Sequence, residues 1–189
     1  LCIYLLMPDR ISNGYPSTDV GSGYKDKLVN RKDPIKRHGG DLEGVVNNLD
    51  YLRDLGVTAI WMTPVLENDM PLQSEQAGMM AGYHGYWFTN HYAIDKRLGG
   101  ENAYKKLIDA AHAKGIKIIQ DAVYNHVGNE HWMFKDAPAK DWINHWPTYT
   151  NTNHSEEAMF DPMGYAGDTK VLLDGWFVPH LPDLNQRNP

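Results

Sequence analysis

Three stretches of this chain carry side chains suited to chemistry. At Asp121–His126 (DAVYNH) a carboxylate, an amide and an imidazole follow an apolar run that ends at Ile119. Polar groups placed at a strand end are held by rigid backbone, which is what a site that accepts and donates hydrogen bonds requires. Two-residue alternation puts Asp121 and Val123 on one side. Asp121 therefore has two readings, a buried carboxylate holding backbone amides or a member of a polar site. His126, at the mouth of the run, is read as a ligand contact. In the second stretch, Tyr83–Trp87 (YHGYW), Gly85 separates His84 from Tyr86. Glycine lets backbone or ligand approach closely, and Tyr or Trp faces stack on the apolar face of a pyranose. Its alternative is an aromatic cluster packing on a rim. The third stretch, Pro8–Asp19 (PDRISNGYPSTD), sets Asn and Asp among Gly and Pro. Oxygen-rich loops of this kind can wrap Ca²⁺, and Gly39, Gly40 and Asp41 stand where they would complete a cage. A helix cap alone also accounts for Asp41.

These residues need elements to position them. Leu1–Met7 (LCIYLLM) reads as a buried strand already under way, without the basic flank or small-residue cleavage site of a signal peptide. Leu42, Val45, Val46, Leu49 and Leu52 recur at helical spacing behind Asp41, and Gly56 stands where that helix would stop. Val57–Met62 (VTAIWM) reads as a fully buried strand. A second helix carries Tyr104, Leu107, Ile108 and Ala111 on one face, closes at Gly115, and leads into a third strand, Ile116–Val123. Strands alternating with amphipathic helices predict parallel strands and an α/β fold. From His126 to about His180 the rhythm is lost among Trp, Tyr, Asn, Asp and Pro, which predicts an inserted subdomain. The abrupt ends, LCIYLLM and NQRNP, read as those of a piece of something longer.

Composition narrows the classes. The 189 residues carry 18 Lys+Arg against 24 Asp+Glu, a formal charge of −6 that argues against a nucleic-acid partner or an anionic membrane surface. No apolar run approaches the roughly 20 residues of a spanning helix, so no membrane insertion is expected. The single cysteine, Cys2, excludes an intrachain disulfide and a Cys-based zinc site. Six Trp, 11 Tyr and 9 His against 4 Phe favour rings with polar tips, which suit flat hydroxyl-rich ligands and equally a large core. No GxGxxG follows a strand, and GxxxxGK[ST], GxSxG and HExxH are absent, so nucleotide-binding and serine-hydrolase readings lack support.

In this order the motifs resemble the alpha-amylase family, glycoside hydrolase family 13. DAVYNH at 121–126 matches the signature at the end of that family's third barrel strand, and LPDLN at Leu181–Asn185 its region near the end of domain B. YHGYWFTNHYAID at 83–95 resembles the stretch after strand two. YLLMPDR, SNGYPSTD and HGGDLEG most resemble the neopullulanase, cyclomaltodextrinase and maltogenic amylase branch.

The resemblance implies the N-terminal part of a TIM (β/α)8 barrel, about three strands over residues 1–126, with domain B and the return toward the barrel at 127–189. It implies retaining hydrolysis of α-glucosidic bonds in maltodextrins, cyclodextrins or pullulan by two carboxyl groups about 5–5.5 Å apart. The family's nucleophile Asp, acid/base Glu and third acid lie on later strands. No GxRxD occurs here, and neither Asp121 nor Asp183 is assigned as a catalytic group. By the resemblance Tyr86 stacks on the sugar of subsite −1, His126 hydrogen-bonds its hydroxyl, and His84 is a further contact. Asp121 braces the site. Asn125 and Asp183 match positions that bind calcium in many alpha-amylases but often not in this branch, so they are read as supporting residues. The branch's own structural Ca²⁺ would take Asn13, Asp19, the Gly39 carbonyl and Asp41, although Tyr15 and Thr18 replace a usual Asp and Asn. The implied partner is an α-glucan, the full-length protein a homodimer in many of the branch, and the location periplasmic or extracellular, with the cytoplasm left open. A non-catalytic sugar-binding or transporter-associated homologue is the rival reading.

Overall fold

A computed structural model describes residues 1–155 and 161–188, divided into two compact units, Leu1–Ala122 and Val123–Pro189. Elements are numbered in chain order. The first unit contains β1 (Ile3–Leu6), α1 (Pro8–Ile11), α2 (Leu42–Asn47), α3 (Leu49–Asp54), β2 (Ala59–Met62), β3 (Leu66–Glu67), β4 (Gln73–Glu75), β5 (Gly78–Met80), β6 (Asn90–Ile94), α4 (Gly100–Ala113) and β7 (Lys117–Gln120). The second contains α5 (Trp132–Lys135) and α6 (Ala166–Asp174).

β1, β2 and β7 form a parallel sheet in that order, joined through helical crossovers as the alternation of strands and amphipathic helices requires. Leu6, Met62 and Gln120 share one row of the ladder. The loops that follow all three strands therefore leave from one sheet end, where the polar motifs of the sequence sit. One face of the sheet packs on the helices. Leu6, Ile60 and Met62 join Leu42, Val45, Leu49, Leu52, Leu107 and Ala111 in a single core. Each such large aliphatic contributes about 1.5–3 kcal/mol by leaving water.

The sequence predicts buried strands at Leu1–Met7 and Val57–Met62; within these residues the helices bury one face of each. Ile3 and Leu5 are 48% and 61% exposed, and Trp61 and Ile119 are 42% and 38% exposed. These alternate residues point to the sheet face that no helix of the first unit covers. The single helix read across 42–52 is two short ones. Asn48 leaves helical backbone (φ −106°, ψ 4°) and its side-chain amide donates to the Gly44 carbonyl at 2.7 Å. Asp41 caps α2 as expected, accepting from the Gly44 amide at 2.6 Å. The antiparallel pairs β3–β6 and β4–β5 lie in the stretch between β2 and α4, where the sequence carries no strong alternation.

Buried ion pairs close the loop side of this unit. Arg97 pairs with Asp95 at 3.0 Å and Arg37 with Asp26 at 3.3 Å, all four side chains being buried. Burial alone would raise the Asp95 pKa, but Arg97 beside it holds the carboxyl below its ordinary range.

The second unit has few regular elements, as the lost rhythm implies. Single bridges His126↔Asp183, Ile143↔Leu184 and Asn151↔Trp176 tie it together. Indole N–H groups supplement them: Trp146 donates to the Asp174 carbonyl at 2.9 Å and Trp176 to the Asn144 carbonyl at 2.7 Å. α6 is a nine-residue helix the sequence does not announce, because Asp174 is its one buried residue and no apolar stripe marks it. Asp174 pairs with Lys170 at 2.5 Å and with Arg187. No helix among the described residues is long and apolar enough to cross a membrane.

Candidate functional site

Asp121 immediately follows β7 and takes the face of Ile119, two residues back, which lies in the same ladder row as Trp61. The Trp61 indole N–H therefore reaches it, donating to Asp121 Oδ2 at 3.2 Å. The Tyr86 hydroxyl donates to the same oxygen at 2.9 Å. One carboxylate oxygen thus orients two aromatic side chains. Burial, and then the neighbouring Asp121 charge, push the Tyr86 phenol up to about 12, so it stays protonated and donating at neutral pH.

Backbone geometry sets the Tyr86 ring. Gly85 has φ +91°, and a Cβ there would lie 2.0 Å from the Pro64 carbonyl oxygen, so only glycine lets the loop press against the end of β2. The Tyr86 amide donates to His84 Nδ1 at 3.1 Å, and the two rings stack with centroids 5.8 Å apart. His84 also meets Trp87 edge to face at 4.9 Å. The Arg10 guanidinium lies 3.8 Å from the centroid of the Tyr83 ring, fastening the start of the motif to the loop after β1. Trp61 is the member of this cluster that sequence reasoning missed. The available signal was its place in a strand parallel to the one preceding Asp121.

The Pro8–Asp19 loop and Gly39–Asp41 converge as the sequence predicts. Asp41 accepts from the amides of Gly14 (3.0 Å), Tyr15 (2.6 Å) and Gly44 (2.6 Å). Asn13 Nδ2 donates to Asp19 Oδ1 at 2.7 Å, while Asn13 Oδ1 is buried and has no hydrogen-bond partner. Gly39 backs onto the Asp19 carboxylate, since a Cβ there would stand 2.9 Å from it. Burial, and after it the nearby Asp41, raise the Asp19 pKa. An orphaned amide oxygen beside two crowded carboxylates is a hard-oxygen set that fits a cation such as Ca²⁺. Thr18 does not extend it, because its hydroxyl is turned to the Tyr15 carbonyl at 2.9 Å. Among the described residues no group of three or more His, Cys, Asp and Glu side chains gathers in metal-holding geometry, so such a site would lean on amide and backbone oxygens.

In the second unit, Asn125, His126 and Asp183 come together at an antiparallel bridge. The Leu184 amide donates to the Asn125 carbonyl at 2.8 Å, and the Asn144 side-chain amide to Asp183 Oδ2 at 2.8 Å. Burial pushes Asp183 up to about 6, against the hydrogen bonds from Asn144 and Asn125. The His126 ring meets Phe177 edge to face at 5.5 Å. Neighbouring His180 is carried down to about 4 by burial and by His126. Asn144 and His180 were not singled out in the sequence, as nothing in their spacing marks them.

Comparison with known proteins identifies the family. Residues 5–189 match the family described as alpha amylase, catalytic domain. The chain is 36% identical over 191 residues to the beta/alpha-amylase of Paenibacillus polymyxa, covering 99% of this chain and 14% of that protein. It is 37% identical over 187 residues to neopullulanase 2 of Thermoactinomyces vulgaris, covering 99% of this chain and 29% of that one. Among solved structures, the alpha-amylase of Geobacillus thermoleovorans complexed with acarbose superposes with a TM-score of 0.70 at 35% identity, over 100% of this chain and 34% of that one. The chain thus spans less than a third of the length of these two curated relatives. The parallel sheet, the motifs DAVYNH and LPDLN in that order along the chain, and a family match over nearly every residue together place this chain in the alpha-amylase family, within its TIM-barrel catalytic domain.

Proposed function

We propose that the protein carrying this chain is a retaining α-glucan hydrolase, acting on maltodextrins, cyclodextrins or pullulan. The observation that carries the reading is the Tyr86 ring, set by Gly85 and fastened by its hydroxyl to Asp121 at the end of the parallel sheet. A rigid phenol ring offers a sugar an apolar face, and its orientation is fixed before the ligand arrives. In this reading Tyr86 stacks on a glucosyl ring, His84 lines the same loop, and His126 donates to a sugar hydroxyl. Asp121 is a positioning residue. The nucleophile and the acid/base are carboxyl groups outside this chain, and no step of bond cleavage is assigned to Asp121 or Asp183.

Asn13, Asp19, the Gly39 carbonyl and Asp41 would hold a Ca²⁺, which would pin the loops after β1 to the start of α2. The location proposed is periplasmic or extracellular, with the cytoplasm left open.

The test is hydrolysis of maltodextrin by the whole gene product, with product anomers followed by NMR. Retained configuration, and a Tyr86→Ala variant reduced at least tenfold in kcat/KM, are expected. Saturable maltodextrin binding without turnover would overturn the hydrolase reading in favour of a sugar-binding homologue. Turnover by purified residues 1–189 alone would overturn the placement of the catalytic carboxylates.

A further inference from the structure

The second unit contains an aromatic cleft that none of the roles above uses. It has a volume of about 160 Å³ and is lined by His145, Trp146, Thr148, Tyr149, Thr150 and Trp176. A cavity of about 150 Å³ suffices for a six-membered ring such as benzene, so this one has room for a single ring-sized group.

The lining is built rather than collapsed. Both indole N–H groups are spent on backbone carbonyls, Trp146 on Asp174 and Trp176 on Asn144, which locks the orientation of the two rings. Lys170 Nζ sits 4.6 Å from the centroid of the Trp146 ring and covers one of its faces. Trp176 meets Tyr149 edge to face with centroids 6.4 Å apart, and His145 at 6.4 Å. Tyr149 remains 49% exposed although its hydroxyl is anchored on Asn151 Oδ1 at 2.7 Å. An anchored aromatic left half in water differs from core packing, in which the ring would be covered.

The chemistry of the lining selects the occupant. Among the described residues no carboxylate or arginine lines the cleft, and the Lys170 ammonium on the Trp146 face is already paired with Asp174, so the cleft holds no uncommitted charge to balance a phosphate or a carboxylate ligand. Rigid aromatic surfaces beside threonine hydroxyls, an imidazole and a phenol offer apolar stacking together with neutral donors and acceptors. That combination fits an uncharged ring bearing hydroxyls. We propose that this cleft is a glucosyl-binding site on the second unit, with Tyr149 and Trp176 as its stacking surfaces and α-glucan as its ligand. The choice of an α-glucan rests on the function proposed above; the choice of a neutral sugar ring rests on the cleft alone.

The experiment uses the protein that carries this chain, titrated with maltohexaose and, separately, cellohexaose, and followed by tryptophan fluorescence. Hydrolysis of maltotriose is measured in parallel. Saturable quenching by maltohexaose is expected. Tyr149→Ala should weaken that binding at least fivefold and Tyr149→Phe should restore it, with maltotriose hydrolysis changed less than twofold in both. Tyr149 is exposed enough for both variants to fold, which far-UV circular dichroism checks. Maltohexaose affinity unchanged by Tyr149→Ala would overturn the proposal while leaving the hydrolase reading intact. Absence of any saturable fluorescence response to either oligosaccharide would also overturn it. Tyr149-dependent binding in a protein that hydrolyses no α-glucan would uphold the cleft and reject the function it was linked to.

Discussion

Asp121 Oδ2 accepts from the Tyr86 hydroxyl at 2.9 Å and from the Trp61 indole at 3.2 Å, and cutting this junction has a calculable cost. A hydrogen bond to a charged acceptor contributes about 1.5–3 kcal/mol when sheltered. Tyr86 is only half-buried and Trp61 is 42% exposed, so solvent competes for both donors. A contribution of about 1 kcal/mol from the tyrosine and about 0.5 kcal/mol from the tryptophan follows. Asp121→Ala should then cost about 1.5 kcal/mol and Tyr86→Phe about 1 kcal/mol, with a coupling of about 1 kcal/mol in the double-mutant cycle. Urea unfolding of the four proteins measures these terms as shifts in midpoint at constant m. A second readout separates orientation from bulk stability. Burial raises the Tyr86 phenol first and Asp121 second, so Asp121→Asn should lower its titration without returning it to the value of free tyrosine, as followed by NMR of labelled tyrosine. A coupling below about 0.3 kcal/mol together with an unmoved phenol titration would refute the reasoning, because the carboxylate would then neither bind nor orient the ring.

Gly85→Ala places a Cβ 2.0 Å from the Pro64 oxygen at φ +91° and should cost at least about 2 kcal/mol; an unchanged urea midpoint would show that the loop yields freely. His180, carried down to about 4, binds its proton less readily folded than unfolded. Its contribution, about 3 kcal/mol, is complete above the unfolded histidine range near 6.5 and is lost as pH falls toward 4. His180→Gln should therefore flatten the stability profile between about pH 6.5 and 4 relative to wild type, a comparison in which the opposite slope of Asp183 cancels; parallel profiles would contradict this. Calcium should raise the melting temperature, with about 2.7 kcal/mol gained when the free ion is about 100-fold above its Kd. Asp19→Asn should abolish that gain, and an equal calcium response in wild type and variant would place the ion elsewhere.

Much of this protein was legible in its residues. Apolar positions at helical spacing from Leu42 to Leu52 and from Tyr104 to Ala111, separated by β-prone runs, point to a parallel α/β sheet, because a parallel neighbour needs a crossover of a dozen or more residues and these helices supply it. Asp41 was readable as a cap, since a carboxylate ahead of a helix has free amides to accept from. The motifs around Tyr86 and His126 stand out in the sequence as local patterns, a glycine between polar rings and polar groups after an apolar run. Which face of each strand meets the helices was not legible: Leu6 and Met62 meet them, while Leu5 and Trp61 turn to the opposite face of the sheet. The break at Asn48 came from a side chain folding back on the Gly44 carbonyl, a choice that spacing does not encode. Only the register of β2 against β7 put Trp61 under Asp121. Only the fold of the second unit drew Trp176 to residues some 30 positions earlier to line a cleft. Periodicity is a local property that the chain carries by itself. Which polar atom meets which donor across 35 or 60 residues, as at Tyr86 and Trp61 with Asp121, is decided when the strands and loops close in space.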